Sequence, residues 1–230
     1  MKKYLITASI VLAIGLVAFI CYNTIIFQDA FFFLKGEVVI DKAICEGDLD
    51  KDSISDMDDI VEGARKEIEN QTRYKSTYYI GGYPPKWEGV CTDVIWRSLM
   101  NAGYNLKNNM DKDIREYTED YSKGVKVPDP NIDFRRVKNQ LVFFQKYATS
   151  LTTEVKRYNR KNLFEWQAGD IVVLTYGEHV AIVSDKRRKD GVPYILHNAS
   201  TMAVEEDILM KWSKSGRIIG HFRFPPIMLE

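Results

Sequence analysis

Gly89-Val90-Cys91-Thr92-Asp93-Val94-Ile95-Trp96-Arg97 is the stretch on which the reading of this chain turns. A turn-rich run, Gly81-Gly82-Tyr83-Pro84-Pro85, precedes it. After Cys91, the apolar residues Val94, Ile95, Leu99 and Ala102 recur at helical spacing, and Gly103 is a stop signal. The pattern predicts a helix whose first turn holds Cys91. There, unpaired backbone N–H groups and the positive end of the helix dipole favour a thiolate over a thiol. A cysteine so placed is a nucleophile or a small buried hydrophobe, and this stretch alone favours the second, because free cysteines are among the most buried residue types.

Working outward, the 230-residue chain balances 32 basic against 32 acidic residues, so no net field draws it to nucleic acid or to an anionic membrane surface. Its three cysteines, Cys21, Cys45 and Cys91, make no disulfide framework. With only three histidines, a structural zinc site is not expected.

Lys2 and Lys3 open the chain, and residues 4–27 that follow carry no charge. The run exceeds the roughly 20 residues needed to cross a bilayer. It lacks an Ala-x-Ala cleavage site, so a signal anchor over residues 1–28 is expected. That makes a single-pass membrane protein whose body lies outside the cytoplasm. Secretion after cleavage beyond Thr24 is the alternative. Residues 29–56 read as an extracytoplasmic stalk, with Phe31-Phe32-Phe33 at the interface and a short strand at Val38-Val39-Ile40. The stalk ends in an acidic loop. Counted from Asp48, the carboxylates of Asp48, Asp50, Asp52, Asp56 and Asp59 fall at positions 1, 3, 5, 9 and 12 of a calcium-loop pattern. Ile54 offers its carbonyl at position 7. Ser53 replaces the usual glycine and Asp59 the usual glutamate. A solvated acidic linker capping a helix over residues 57–70 is the other reading.

That helix places Ile60, Val61, Ala64 and Ile68 on one face. Tyr74, Tyr78 and Tyr79 follow as core residues or as the lining of a cleft before Cys91. Residues 104–124 read as polar and irregular. Val127-Pro128-Asp129-Pro130 is a stiff turn, and residues 134–147 an amphipathic helix. Arg135 and Arg136, near its start, pair with Asp133 or another acid, or bind a substrate carboxylate. Residues 149–162 read as an exposed connection. The last third changes period: strands are expected over residues 170–176, 179–185, 193–198 and 217–224, with a turn at Gly177-Glu178. Helices followed by short consecutive antiparallel strands make an α+β domain on a small curled sheet, over residues 57–230.

His179, Ala181 and Val183 share one strand face, as do Ile195 and His197. If those faces look the same way, the imidazoles are cross-strand neighbours. A helix packed on that face would present Cys91 to His179, with His197 behind. That is the nucleophile, base and orienting group of a thiol hydrolase. His221 reads as structural.

These residues carry a resemblance. Tyr78-Tyr79-Ile80-Gly81-Gly82, Gly89-Val90-Cys91, Gln167-Ala168-Gly169-Asp170 and His179-Val180-Ala181-Ile182 resemble the corresponding segments of the NlpC-type papain-like cysteine peptidases of bacterial cell walls. Gln71-Thr72-Arg73-Tyr74, Cys91-Thr92-Asp93-Val94, Asp129-Pro130-Asn131-Ile132-Asp133 and Gly220-His221-Phe222-Arg223 are closer still to a YijF-like group of unknown function in that superfamily. The resemblance implies a papain-like fold in which Cys91 is the nucleophile and His179 the base. His197 orients the base, with Asn198 as the alternative. It implies hydrolysis of an amide in peptidoglycan stem peptides, by an endopeptidase or amidase, with no cofactor needed for catalysis. The Cys91 N–H and the Tyr78 hydroxyl would hold the oxyanion. Tyr74, Asp93, Asn198 and Arg135 are the further substrate candidates. The acid at Asp93 follows the cysteine, whereas the family's precedes it. An acyltransferase and a non-catalytic wall- or partner-binding module are the alternatives on the same scaffold.

Overall fold

The computed structural model describes residues 14–16, 19, 36–45, 47–121, 123, 125–175 and 179–225. The chain divides into two compact units, Met1–Glu37 and Val38–Glu230, and every element named below belongs to the second.

The expected transmembrane helix is corrected: among the described residues no helix is long and apolar enough to cross a membrane. Most of residues 4–27, like Phe31-Phe32-Phe33, lies outside the described residues, while Ile14, Leu16 and Phe19 are exposed. An uncharged run meets the length that a span requires, but it does not by itself make the run one helix.

Residues 38–45 are not a free stalk. Val38 N–H donates to the Lys189 carbonyl at 2.9 Å, and Ala43 N–H to Gln167 Oε1 at 3.0 Å. No strand forms at residues 38–40. The first helix, α1 (Asp56–Glu69), starts at Ser55, whose side chain accepts the Asp58 N–H, and carries Asp56, Asp58 and Asp59 in its first turn. Both features suit the positive end of a helix. A two-stranded parallel pair, β1 (Arg73–Tyr74) and β2 (Glu88–Gly89), then leads into α2 (Cys91–Asn101). A Cβ on Gly63 of α1 would come within 2.7 Å of Ser98 Cα, so glycine is what lets α1 and α2 pack this closely.

Residues expected to be irregular form α3 (Leu106–Glu116), capped by Asn105, with Leu106, Met110 and Ile114 buried at helical spacing. A 3-10 turn at Asp133–Arg135 precedes α4 (Val137–Tyr147), so the expected single helix begins three residues later. The exposed connection contains β3 (Thr149–Ser150) and part of α5 (Arg160–Phe164). Four strands, β4 (Ile171–Leu174), β5 (His179–Arg187), β6 (Pro193–Asn198) and β7 (Ala203–Glu206), follow, with α6 (Leu209–Lys214) and β8 (Ile218–Arg223) last. The expected turn at Gly177-Glu178 lies outside the described residues.

The six-stranded antiparallel sheet has the order β3-β8-β4-β5-β6-β7, so the described chain is mixed α+β. Both sheet faces are covered. Ile171, Val173, Val180, Ile182 and Leu196 pack with Cys91, Val94, Ile95 and Leu99 of α2. Val172, Leu174, Ala181, Val183 and Ile195 pack with Leu163, Trp166 and Trp212. This two-sided burial is why β4 reads as an unbroken apolar run without polar alternation.

Candidate active site

Cys91 is the first residue of α2, and Val90 before it is extended. Asp93 folds back to accept the Val90 N–H at 2.7 Å. The same carboxylate accepts Trp96 Nε1–H at 2.7 Å and takes Arg135 in a fork, Nε on Oδ1 and Nη2 on Oδ2, each at 2.7 Å. Asp93 is fully buried and Arg135 nearly so. Arg135 also donates to the Thr77 carbonyl at 2.9 Å and lies over the Tyr79 ring. The Thr92 hydroxyl donates back to the Arg135 carbonyl at 2.9 Å. The pair therefore clamps the cysteine turn to the Asp133–Arg135 turn. Asp93, expected as a substrate contact, has both carboxylate oxygens engaged by these donors, whereas Arg135 also lines the cleft that holds Cys91. Arg136 pairs with Asp133 at 3.3 Å.

Cys91 is buried, with 7% of the residue exposed. Burial pushes its thiol up to about 11, and the Asp93 charge adds to that. The N–H groups of Val180, Thr92 and Cys91 itself pull the other way. Desolvation thus outweighs the first-turn amides that favour a thiolate.

The Val180 contact locates the sulfur. Val183 N–H donates to the Asp170 carbonyl of the neighbouring chain segment at 2.8 Å. Antiparallel N–H groups alternate in direction, so Ala181 and His179 point theirs at β4, and Val180 points towards β6. Yet the β5–β6 pairing runs only as far as Ile182 opposite Leu196. The sulfur takes the amide that would have continued the ladder, between the strand ends that carry His179 and His197.

The two imidazoles are cross-strand neighbours, with His179 Nε2 and His197 Nδ1 2.8 Å apart. His197 Nε2 lies 3.2 Å from Glu206 Oε2. The Glu206 carboxylate accepts, so His197 carries its proton on Nε2 and accepts at Nδ1 from His179 Nε2–H. The unprotonated nitrogen of neutral His179 is then Nδ1, the one available to take a proton. Trp212 sets its ring edgewise to both imidazoles, with centroids 5.7 and 5.4 Å away. Burial, then His197 and Arg217, hold His179 down to about 3. Burial also lowers His197, against the raising effect of Glu206.

One expected relation fails. Cys91 was to face His179 across a shared surface, but α2 packs on the Val180 and Ile182 face, and His179 shares the opposite face with Ala181 and Trp212. The sulfur meets the His179–Val180 peptide, and among the described residues no hydrogen bond joins it to either imidazole. Period-2 alternation tells which residues share a face, but not which face a distant helix covers.

A cleft of about 440 Å³ opens over the cysteine, lined among others by Tyr74, Ser76, Cys91, Lys123, Arg136 and Lys138. The Tyr74 phenol is raised by burial and then by Cys91. Tyr78 is elsewhere: its hydroxyl donates to Asp129 Oδ2 at 3.1 Å and accepts from Asn131 Nδ2 at 2.9 Å. Tyr74 thus occupies the place expected for Tyr78. Asn198 lies on the cysteine side of β6 and donates to the Thr72 and Gly89 carbonyls at 3.1 and 3.4 Å. Its buried Oδ1 has no partner. His221 stacks on Trp166 and bonds to Asp170 and the Thr152 carbonyl, holding the far side of the sheet together.

In the acidic loop, the carboxylates of Asp48, Asp50 and Asp52 gather within 4.8 Å of one another. Asp56 does not join them: it accepts the Leu49 N–H at 2.9 Å and the Tyr104 hydroxyl at 2.8 Å. Ile54 donates its N–H to Asp52 Oδ1 at 2.8 Å. Asp59 is buried. Glu206, absent from the expected site, went unseen because β7 is short and its period is obscured by Glu205 beside it.

Comparison with known proteins bears on the same residues. The chain is 35% identical over 174 residues to "Uncharacterized protein YijF" of Escherichia coli (strain K12), covering 72% of this chain and 80% of that relative. The family model described as a domain of unknown function, DUF1287, matches residues 61–224, which hold Cys91, His179, His197 and Glu206. The chain belongs to the DUF1287 family.

Proposed function

We propose that the chain is an extracytoplasmic thiol hydrolase of the NlpC-type papain-like superfamily, cleaving an amide bond in peptidoglycan stem peptides. The observation that carries this reading is the position of the Cys91 sulfur at the open end of the β5–β6 ladder, between strands bearing the His179–His197 pair. In this mechanism His179 Nδ1 takes the thiol proton as Sγ attacks the amide carbonyl carbon. The proton passes to the leaving amine as the C–N bond breaks, and water then cleaves the thioester with His179 as base. A thiol near 11 and an imidazole near 3 rest as a neutral pair. Proton transfer therefore accompanies attack, and the reading requires the His179 imidazole to come within hydrogen-bond reach of the sulfur as substrate enters. The Cys91 N–H, with the Tyr74 hydroxyl, stabilises the oxyanion. Lys123, Arg136 and Lys138 along the cleft favour a substrate with carboxylates beside the scissile amide, as stem peptides have.

The test is incubation of the protein with peptidoglycan fragments, read by mass spectrometry. Cys91→Ala should abolish cleavage and leave the fold intact, and cleavage persisting in that variant would remove the mechanism. A second reading is favoured by the buried thiol and its lack of a bond to the base: a non-catalytic module that binds wall peptide through the same cationic cleft. It predicts equal binding by wild type and Cys91→Ala, with no product from either.

A further inference from the structure

A second cavity, of about 310 Å³, shares no lining residue with the cleft over Cys91. Asn109, Lys112 and Glu116 stand along it, three and four positions apart on α3, and Tyr117 follows at the end of that helix. Phe143 and Tyr147 of α4 line it from another side. Tyr117 and Tyr147 are each 40% exposed, a large aromatic area to leave in water. Both rings are nonetheless fixed. The buried Asp113 accepts the hydroxyls of Tyr147 and Tyr121, and it takes Lys146 Nζ at 2.9 Å on each oxygen. The same ammonium lies 4.1 Å from the Tyr117 ring centre and 5.5 Å from that of Tyr147. Tyr117 donates its hydroxyl to Glu116 Oε1 at 3.1 Å, and Phe143 packs on Tyr147 with ring centroids 4.9 Å apart. With both hydroxyls engaged inside the protein, these tyrosines offer a ligand the surfaces of their rings.

We propose that this cavity binds a pyranose ring of a glycan strand. Such a ring has apolar C–H faces that lie on aromatic rings, and hydroxyls around its edge that need donors and acceptors. The exposed Asn109 amide, Lys112 ammonium and Glu116 carboxylate supply both kinds of group beside the two tyrosines. The charges favour a neutral ligand. Asp113 is matched by Lys146, and Lys112 and Glu116 are of opposite sign, so neither a phosphate nor an ammonium meets a net field. Rings already held in place lose little freedom when the sugar arrives, which keeps the cost of binding low. On the proposed hydrolase reading, the cavity would hold the glycan while the separate cleft takes the peptide. The binding itself does not require that reading.

The experiment is calorimetric titration of the full chain with the β-1,4-linked tetramer of N-acetylglucosamine. A Kd on the order of 10⁻⁴–10⁻³ M is expected for a ligand of this size in an open site. It should change less than twofold between about 50 and about 500 mM sodium chloride, because no charge pair forms. Tyr117→Ala should weaken binding at least tenfold by removing a stacking surface, whereas Tyr117→Phe, which keeps the ring, should bind as the wild type does. Asn109→Ala, at an exposed helical position, should weaken binding about threefold or more. Absence of binding by the wild type at about 5 mM tetramer would overturn the site. So would undiminished binding by Tyr117→Ala, which would put the sugar elsewhere on the protein. If Tyr117→Ala fails to fold, undiminished binding by Asn109→Ala decides against the site in its place. The tetramer carries no peptide, so these results stand apart from whether the cleft hydrolyses an amide.

Discussion

Replacing Asp93 by Asn tests whether this carboxylate serves the fold or a substrate. Both partners of the Asp93–Arg135 fork are out of solvent, with side chains 1% and 2% exposed. The substitution keeps the shape but leaves the guanidinium buried and uncompensated, a loss of about 3–5 kcal/mol. One of the N–H donors from Val90 or Trp96 would also lose its acceptor, adding about 1 kcal/mol or more. For a domain of this size each kcal/mol moves the melting temperature by about 2–4 °C, so a fall of at least about 8 °C is expected. Scanning calorimetry and urea denaturation read it directly. A double-mutant cycle separates the pair from its surroundings: Asp93→Leu with Arg135→Met should recover much of what either single change loses. A substrate-binding carboxylate behaves differently, since its removal leaves stability unchanged or raised. An Asp93→Asn protein within about 0.5 kcal/mol of wild type would refute the structural assignment.

Two further predictions test the proposed hydrolase. With the thiol pushed up to about 11, the thiolate fraction of free Cys91 grows about tenfold per pH unit up to that value. Alkylation by iodoacetamide, measured with Cys21 and Cys45 changed to Ser, should therefore keep rising to pH 9 or beyond; a plateau below pH 8 would contradict the neutral resting pair. Glu206→Gln should lower turnover about tenfold with little change in KM, because Glu206 sets the tautomer of His197 without touching substrate. Its acid-side pH profile should shift as well, whereas a purely structural role would leave that profile unmoved.

Local patterns in the sequence determined the start of a helix at Cys91, the antiparallel strands, and the neighbouring positions of His179 and His197. Each depends on periods of 3.6 or 2 residues, or on a cap, all of which act over a few positions. The six-stranded sheet and its two-sided burial extend the same logic. The helix at Leu106–Glu116 was equally local, written in Asn105, Leu106, Met110 and Ile114, but a polar majority concealed it. The uncharged run at residues 4–27 predicts a membrane span, whereas among the described residues no helix is long and apolar enough to cross a membrane.

Tertiary structure alone decided the rest. Asp93 and Arg135 are 42 positions apart, and nothing local marks them as partners. The titration of Cys91 depends on how completely the assembled domain excludes water, a quantity no window of sequence contains. The face of the sheet that α2 covers is likewise a choice between two packings that the alternating pattern supports equally. That choice places the sulfur on the His179–Val180 peptide and turns the imidazole to His197 and Trp212. Sequence determines chemistry that repeats along the chain; contacts between distant segments exist only once both have folded.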